Sequence, residues 1–108
     1  MPVTRAFLLE LANAAAAETL PRFRAGGGID DKGMKGGLAA FDPVTEADRA
    51  AETAIRALIT RQFPDHGILG EEHGATGLDR DHVWVIDPID GTRAFITGIP
   101  VWGTLVGL

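Results

Sequence analysis

The stretch that most constrains the fold is Trp84–Phe95, which reads WVIDPIDGTRAF. It begins as an apolar run that is typical of a buried strand, and it continues with Asp87 and Asp90 around a Pro-Ile pair. Two carboxylates this close repel each other, and a desolvated carboxylate is unfavourable unless another group compensates its charge. A fold that buries this strand must therefore either place a cation beside the aspartates or leave them in a solvated turn.

The composition indicates one small soluble domain. The chain has 108 residues, of which 45% are hydrophobic and 23% charged. A net charge of −5, with no cluster of basic residues, argues against nucleic acid or an anionic membrane as a partner. The absence of cysteine excludes disulfides, thiolate metal sites and cysteine nucleophiles. Without a signal-peptide pattern or a segment that could span a bilayer, we expect a cytoplasmic protein.

Two helices are predicted in the first half of the chain. Thr4 can cap the first, which Pro21 should end near Leu20. A glycine-rich segment, AGGGIDDKGMKGGLAAF, follows and is expected to be a loop. The apolar positions of the first helix recur at helical spacing. They are Phe7, Leu8, Leu11, Ala12 and Ala15.

The second helix is the clearest element of the sequence. Thr45 followed by Asp48 is typical of a capping box, and Phe63-Pro64 should stop the helix. The predicted buried stripe contains Ala47, Ala51, Ala54, Ile55, Leu58 and Ile59. The charged residues Arg49, Glu52, Arg56 and Arg61 are expected to lie off this stripe.

Strands dominate the second half of the chain. Short strands are predicted at GILG, at VWVID and in VWGTLVGL, with a polar loop, EEHGATGLDRDH, after the first and a helical turn from Gly91-Thr92. Two helices followed by strands with short connections predict an α+β fold, in which the helices pack on a sheet in layers.

The Asp-Pro-Ile-Asp-Gly-Thr segment has the residue types of a metal–phosphate site. Asp87, Asp90 and the carbonyl of Ile89 can supply hard oxygen ligands to Mg²⁺. Gly91 lets the backbone approach a ligand, and Thr92 would open a helix whose free N–H groups attract an anion. The alternative is a plain turn, because Asp-Pro and Asp-Gly are common turn dipeptides.

Glu71 and Glu72 favour the metal interpretation. If GILG and VWVID are neighbouring strands, Glu71 and Asp87 leave the sheet at one edge, although Glu72 by itself is better explained as a solvated residue. Asp48 is either a stabilising carboxylate at a helix start or a member of the same site. His66, His73 and His82 are scattered, which disfavours zinc.

Three segments together resemble the inositol monophosphatase family of Mg²⁺-dependent, lithium-sensitive phosphatases. They are DPVTEAD, GEE and WVIDPIDGTRAFITGIP, in this order. The longer matches FPDHGILGEEHG and DGTRAFITGIPVWGTLVGL most resemble the bacterial histidinol-phosphatases of that family. The resemblance implies the layered α/β sandwich of the inositol monophosphatase type, here two helices on a largely antiparallel sheet. It covers nearly the whole chain.

The resemblance also implies roles for individual residues. Glu71 corresponds to the glutamate that binds the first metal and orients the attacking water, and Asp87 to the aspartate that bridges metals. Ile89 would supply a carbonyl ligand and Asp90 would bind the second metal. The remaining implied positions concern phosphate and water. Gly91 and Thr92 would bind the phosphate, and Thr92 and Asp48 would act on the water. Lys32, or else Lys35, would be a loop lysine that contacts the substrate.

The implied activity is Mg²⁺-dependent hydrolysis of a phosphomonoester, with Mn²⁺ as an alternative ion. The substrate would be a small phosphorylated molecule, and the first candidate is histidinol phosphate, an intermediate of histidine biosynthesis. An inositol, sugar or nucleotide phosphatase is the alternative within the family, and a non-catalytic cation-binding fragment is the alternative outside it. Such a family member could form a homodimer when complete.

The length departs from the family pattern. Family members are more than twice as long, and their second half supplies another aspartate ligand and most of the leaving-group pocket. Residues 1–108 are therefore expected to be the N-terminal metal- and phosphate-binding part of such a domain, with the C-terminal part absent. The last predicted strand also runs to Leu108 with no cap or turn after it.

Overall fold

The computed structural model describes residues 2–24 and 43–108, with side chains from residue 46 onward in the second range. It contains three helices and one four-stranded sheet. The helices are α1 (Arg5–Thr19), α2 (Pro43–Gln62) and α3 (Thr92–Thr97), and the strands are β1 (Gly67–Gly70), β2 (Gly74–Thr76), β3 (Val83–Asp90) and β4 (Gly103–Gly107). The predicted α+β architecture is confirmed.

Helix α1 begins and ends as its sequence predicts. The Thr4 hydroxyl accepts a hydrogen bond from the Phe7 N–H at 3.1 Å, which caps the helix, and the chain leaves the helix at Leu20. The buried face is narrower than predicted. It consists of Phe7, Leu11, Ala15 and Thr19, whereas Leu8 and Ala12 are exposed.

Helix α2 begins earlier than the capping-box prediction, at Pro43, where the fixed φ of proline suits a first helical turn. Asp48 therefore lies beyond the first turn and cannot be the N3 carboxylate. The stripe is otherwise confirmed, since Ala47, Ala51, Ile55 and Ile59 are fully buried. The prediction that Glu52 lies off this stripe is wrong, because Glu52 is 0% exposed.

The sheet is mixed and has the order β2-β1-β3-β4. Strand β1 pairs antiparallel with β2 and parallel with β3, and β3 pairs antiparallel with β4. The central pair is thus parallel, while both outer pairs are antiparallel. Strand β2 lies in the segment predicted as a polar loop, because its three residues are exposed and carry no apolar signal.

The helices cover one face of the sheet. The main core joins residues from α1 and α2, such as Leu11 and Ile55, to Ile68, Trp84 and Ile86 on the sheet. On the opposite face, here called the open face, Leu69, Val85 and Leu105 are about half exposed. No helix in the described ranges is long and apolar enough to cross a membrane.

Candidate metal and phosphate site

Glu71 and Asp87 lie side by side at one end of the two central strands. In the parallel register of β1 and β3, Gly70 is the partner of Ile86, so the next residue on each strand reaches the same level. Both side chains point to the open face, as expected from the alternation after the buried Gly70 and Ile86. The two carboxyl groups lie close enough for each to shift the pKa of the other.

The electrostatics of this pair favour a bound cation. The charge of Asp87, followed by desolvation, raises the pKa of Glu71 above its ordinary value. Burial raises the pKa of Asp87, and the charge of Asp90 raises it further, although hydrogen bonds from Glu71 and the Ile89 N–H oppose this effect. Asp87 Oδ1 is buried and has no hydrogen-bond partner within the described residues. These carboxylates therefore fit a divalent ion, which would compensate their charges.

A bulge in β3 brings Asp90 to the same face as Asp87. Asp87 pairs with Leu105 and Asp90 pairs with Gly103, so that β3 advances three residues while β4 advances two. Pro88 and Ile89 are consequently buried in succession, and the exposed Asp90 returns to the open face. The Thr104 hydroxyl donates a hydrogen bond to the Pro88 carbonyl at 2.7 Å, which satisfies the backbone at the irregular step.

Gly91 and Thr92 follow directly. Gly91 is the N-cap of α3 with φ 95°, and Thr92 is the first helical residue. A Cβ on Gly91 would lie 3.0 Å from the Val101 carbonyl oxygen, so the turn needs glycine for both conformation and space. Both residues are exposed beside Asp90. Helix α3 has six residues, and the assignment of this turn to phosphate remains a prediction.

Asp48 lies near the same end of β3, at 9% exposure. The preceding residue, Ala47, packs in a second apolar cluster with Ile89 and Phe95, which connects the start of α2 to the end of β3 and to α3. The structure thus places Asp48 close to the aspartate-containing segment. Its role toward water stays a prediction.

Other candidate ligands are not brought together. Lys32 and Lys35 lie outside the described residues. Over residues 2–24 and 43–108, no group of three or more His, Asp or Glu side chains stands at ligand spacing, so the centre is a preformed carboxylate pair with Asp90 beside it. His66 and His82 stack on each other at 4.9 Å, away from this pair and beside Trp84.

Glu52 is the residue that sequence reasoning missed. Its buried carboxylate lies beneath the turn that carries Glu71, and it accepts hydrogen bonds from the N–H groups of Glu72 and His73 at 2.9 and 3.0 Å. The available signal was Arg56 four residues later, which forms an ion pair with Glu52 at 2.8 Å. Spacing of apolar residues cannot reveal such a buried charge.

The helices layered on a mixed sheet, with carboxylates at the ends of the central strands, define an α+β protein with an acidic site. The chain belongs to the inositol monophosphatase family, whose model matches residues 2–108. A histidinol-phosphatase of Mycobacterium tuberculosis is 41% identical over 104 residues, covering 94% of this chain and 38% of the relative. A histidinol-phosphatase of Streptomyces coelicolor is 46% identical over 98 residues, covering 91% and 35%.

The fold comparison agrees with the sequence comparison. The solved structure of an inositol monophosphatase from Zymomonas mobilis superposes with a TM-score of 0.69 at 39% identity, and the match covers 94% of this chain and 36% of that one. The chain therefore spans little more than a third of the length of the relatives that it matches.

Proposed function

We propose that this chain forms the Mg²⁺- and phosphate-binding part of a phosphomonoesterase that hydrolyses histidinol phosphate. The observation that carries the proposal is the Glu71–Asp87 pair at the end of the parallel strands. The charge of Asp87 raises the pKa of Glu71 there, and one buried oxygen of Asp87 lacks a hydrogen-bond partner within the described residues. An arrangement that is unfavourable by itself is explained by a cation that it binds.

The residues divide the work by position. Glu71, Asp87 and Asp90 would hold Mg²⁺, together with the carbonyl of Ile89. When bound, such an ion supplies a water of lowered pKa and neutralises phosphate charge. The exposed Thr92 hydroxyl, beside Asp90, would orient that water and take part in its deprotonation. Asp48 would support Thr92 from α2. The backbone at Gly91-Thr92 would bind the phosphate oxygens, and Lys32 would add a positive charge.

The substrate is proposed from the relatives' names. The two histidinol-phosphatases match nine-tenths or more of the chain at 41% and 46% identity. An inositol phosphate is the second candidate, because the structural relative at 39% identity is an inositol monophosphatase. Either reaction would use the same carboxylates, so the two leaving groups must be distinguished by assay.

The test is phosphate release from histidinol phosphate and from inositol 1-phosphate, with Mg²⁺ and with chelator. It should use both the 108-residue chain and a protein of the relatives' length that contains it. We expect Mg²⁺-dependent release, fastest with histidinol phosphate. Faster release from inositol 1-phosphate would transfer the assignment to the second candidate. Metal binding without release from either substrate, in both proteins, would favour a non-catalytic cation-binding role.

A further inference from the structure

Glu52 forms a bridge between α2 and the turn after β1. It is fully buried, yet its carboxylate accepts three hydrogen bonds. Oε1 accepts from the Glu72 N–H at 2.9 Å, while Oε2 accepts from the His73 N–H at 3.0 Å and from Arg56 Nε at 2.8 Å. Buried charges are tolerated when they are paired and hydrogen-bonded in this way.

Arg56 extends the bridge by one residue. Its Nη2 donates a hydrogen bond to the Gly74 carbonyl, so one ion pair holds the backbone of three consecutive residues, from Glu72 to Gly74. The Arg56 side chain is only 16% exposed, which limits competition from water. We call Glu52 and Arg56 the clamp.

Gly70 shows that the clamp also supports the other side of Glu71. A Cβ on Gly70 would lie 2.2 Å from Glu52 Oε2, so the carboxylate occupies the space under this residue. Only glycine at position 70 leaves room for it. Both neighbours of Glu71 therefore contact Glu52. Gly70 packs against the Glu52 carboxylate, and the Glu72 N–H donates a hydrogen bond to it.

The clamp opposes a force that would move Glu71. The neighbouring carboxylate of Asp87 repels the charged Glu71, and Glu71 is exposed and lies where β1 ends. A turn without support could relieve this repulsion by swinging away. Since Glu52 acts from the helix-covered face, it fixes the backbone without competing for a cation on the open face.

We propose that Glu52, with Arg56, is a positioning residue that fixes the turn after β1 and so presents Glu71 to the cation beside Asp87. The inference rests on the proposed function, because it assigns Glu52 to the same metal site. Groups that orient metal ligands in this way commonly contribute much of the affinity.

The test compares Mn²⁺ binding by calorimetry in the full chain and in Glu52→Gln. The amide keeps the size of the side chain but places a donor where at least one hydrogen bond was accepted. We expect Mn²⁺ affinity to fall by roughly 10- to 100-fold. The matched control is Glu72→Gln, which removes the same charge from the turn, where the Glu72 side chain only approaches Arg49 at 3.9 Å. That variant should lose less than about fivefold.

Two further variants keep the proposal testable if Glu52→Gln folds poorly. Gly70→Ala should displace the Glu52 carboxylate and weaken Mn²⁺ binding. Arg56→Lys should also weaken it, because an ammonium group cannot reproduce the geometry with which the guanidinium donates to both Glu52 and the Gly74 carbonyl. The effect should be smaller than that of Gly70→Ala, because the positive charge beside Glu52 is kept. Combined with Glu52→Gln, Gly70→Ala should cost less than the product of the single effects, since both disturb one contact.

Amide hydrogen exchange separates the clamp from the metal site. In Glu52→Gln, the amides of Glu72 and His73 should exchange faster, with the core amides of α2 unchanged. Unchanged exchange and Mn²⁺ affinity within twofold of the parent would overturn the proposal. If the parent chain binds no Mn²⁺, the proposed function is wrong and the assignment to a metal site falls with it. The exchange rates then still decide whether Glu52 orders the turn.

Discussion

The carboxyl groups of Glu71 and Asp87 lie side by side at the ends of the parallel strands β1 and β3, directly after the paired, helix-covered residues Gly70 and Ile86. Each carboxylate is thus placed by regular sheet geometry, while their mutual repulsion is left uncompensated by any basic side chain next to them in sequence. Without a cation, the repulsion between these carboxylates destabilises the fold. The same pair provides a binding site for a cation.

Asp87→Asn should weaken metal binding and stabilise the metal-free chain at neutral pH. The pKa values of Glu71 and Asp87 are raised in the folded state. The contribution of these two groups to the free energy of unfolding is therefore favourable below the unfolded-state pKa and is lost as pH rises through the folded-state pKa. The difference in unfolding free energy between Asp87→Asn and the parent should therefore grow as pH rises from about 4 to 7. Urea titrations at several pH values measure it.

Asp87→Asn should also lower Mn²⁺ affinity by more than the roughly 10- to 100-fold that is typical when a residue that orients a metal ligand is changed. Glu72→Gln is the control, because it removes a carboxylate from the same turn whose charge affects the pKa of Glu71 less than the charge of Asp87 does. Calorimetry that finds equal affinities for Asp87→Asn and the parent would contradict the assignment of Asp87 as a ligand.

Thr92→Ala should lower kcat by roughly 100-fold or more, with Mn²⁺ affinity unchanged. A hydroxyl that acts on the water contributes mainly in the transition state, and general acid–base contributions are of this size. The structure excludes a simple cap, since Gly91 is the N-cap of α3. Thr97→Ala, at the other end of α3, is the control, because its hydroxyl only donates to the Arg93 carbonyl at 2.8 Å. A full kcat for Thr92→Ala would remove Thr92 from the mechanism.

Gly91→Ala should destabilise the fold more than Gly74→Ala. Both glycines have positive φ, 95° and 76°, but a Cβ at position 91 meets Val101 and Trp102 within 3.2 Å, whereas nothing lies within 4 Å at position 74. The cost of a strained backbone conformation is about 1–3 kcal/mol, to which the clash at Gly91 adds. Thermal unfolding of both variants provides the comparison, and equal losses would show that the close approach is relieved at little cost.

Acidification should weaken the packing around Trp84. Its Nε1 donates a hydrogen bond to His66 Nδ1 at 3.0 Å, and the pKa of His66 is lowered, first by desolvation and then by the charge of His82. A lowered folded-state pKa contributes stability that is present above the ordinary value of 6.5 and is lost as pH falls through the folded-state pKa.

His66→Asn tests this prediction, because its carbonyl can still accept the bond but does not titrate. The unfolding free energy of the parent should decline between about pH 7 and pH 5 relative to that of the variant. Trp fluorescence during urea unfolding follows the change. Parallel pH dependence in both proteins would mean that His66 does not carry the effect.

Leu105→Lys should reduce self-association. Within the described residues, β4 is an edge strand that pairs only with β3, and Leu105 on the open face is 54% exposed. Charged residues on edge strands oppose pairing between molecules. Leu78→Lys is the matched control, because Leu78 has the same 54% exposure but lies in a loop. Light scattering over a range of protein concentrations should show the effect for position 105 and a smaller one for position 78.

Periodicity and turn chemistry predicted most of the fold, since they act locally. The cap at Thr4, the strand Gly67–Gly70 and the helical turn after Gly91 all follow from short-range rules. The sequence did not predict that β1 pairs with β3, because strand pairing depends on long-range packing. It predicted only that Glu71 and Asp87 would share one edge of the sheet if the two strands were neighbours. The exposed strand β2 carries no apolar signal, and the buried Glu52 is compensated by backbone groups about twenty positions away.

The bulge between Asp87 and Asp90 has a consequence for protein design. Removing one of the two residues between them would regularise the ladder with β4, as idealised strand geometry favours. It would also leave the aspartates two positions apart, one pleat repeat of β3, and would remove the backbone step that carries Pro88 and Ile89. An automated redesign that rewards regular sheets would therefore improve the scaffold by erasing the spacing that sets Asp90 against Gly91 and Thr92. In this chain the defect in the sheet is the part to preserve.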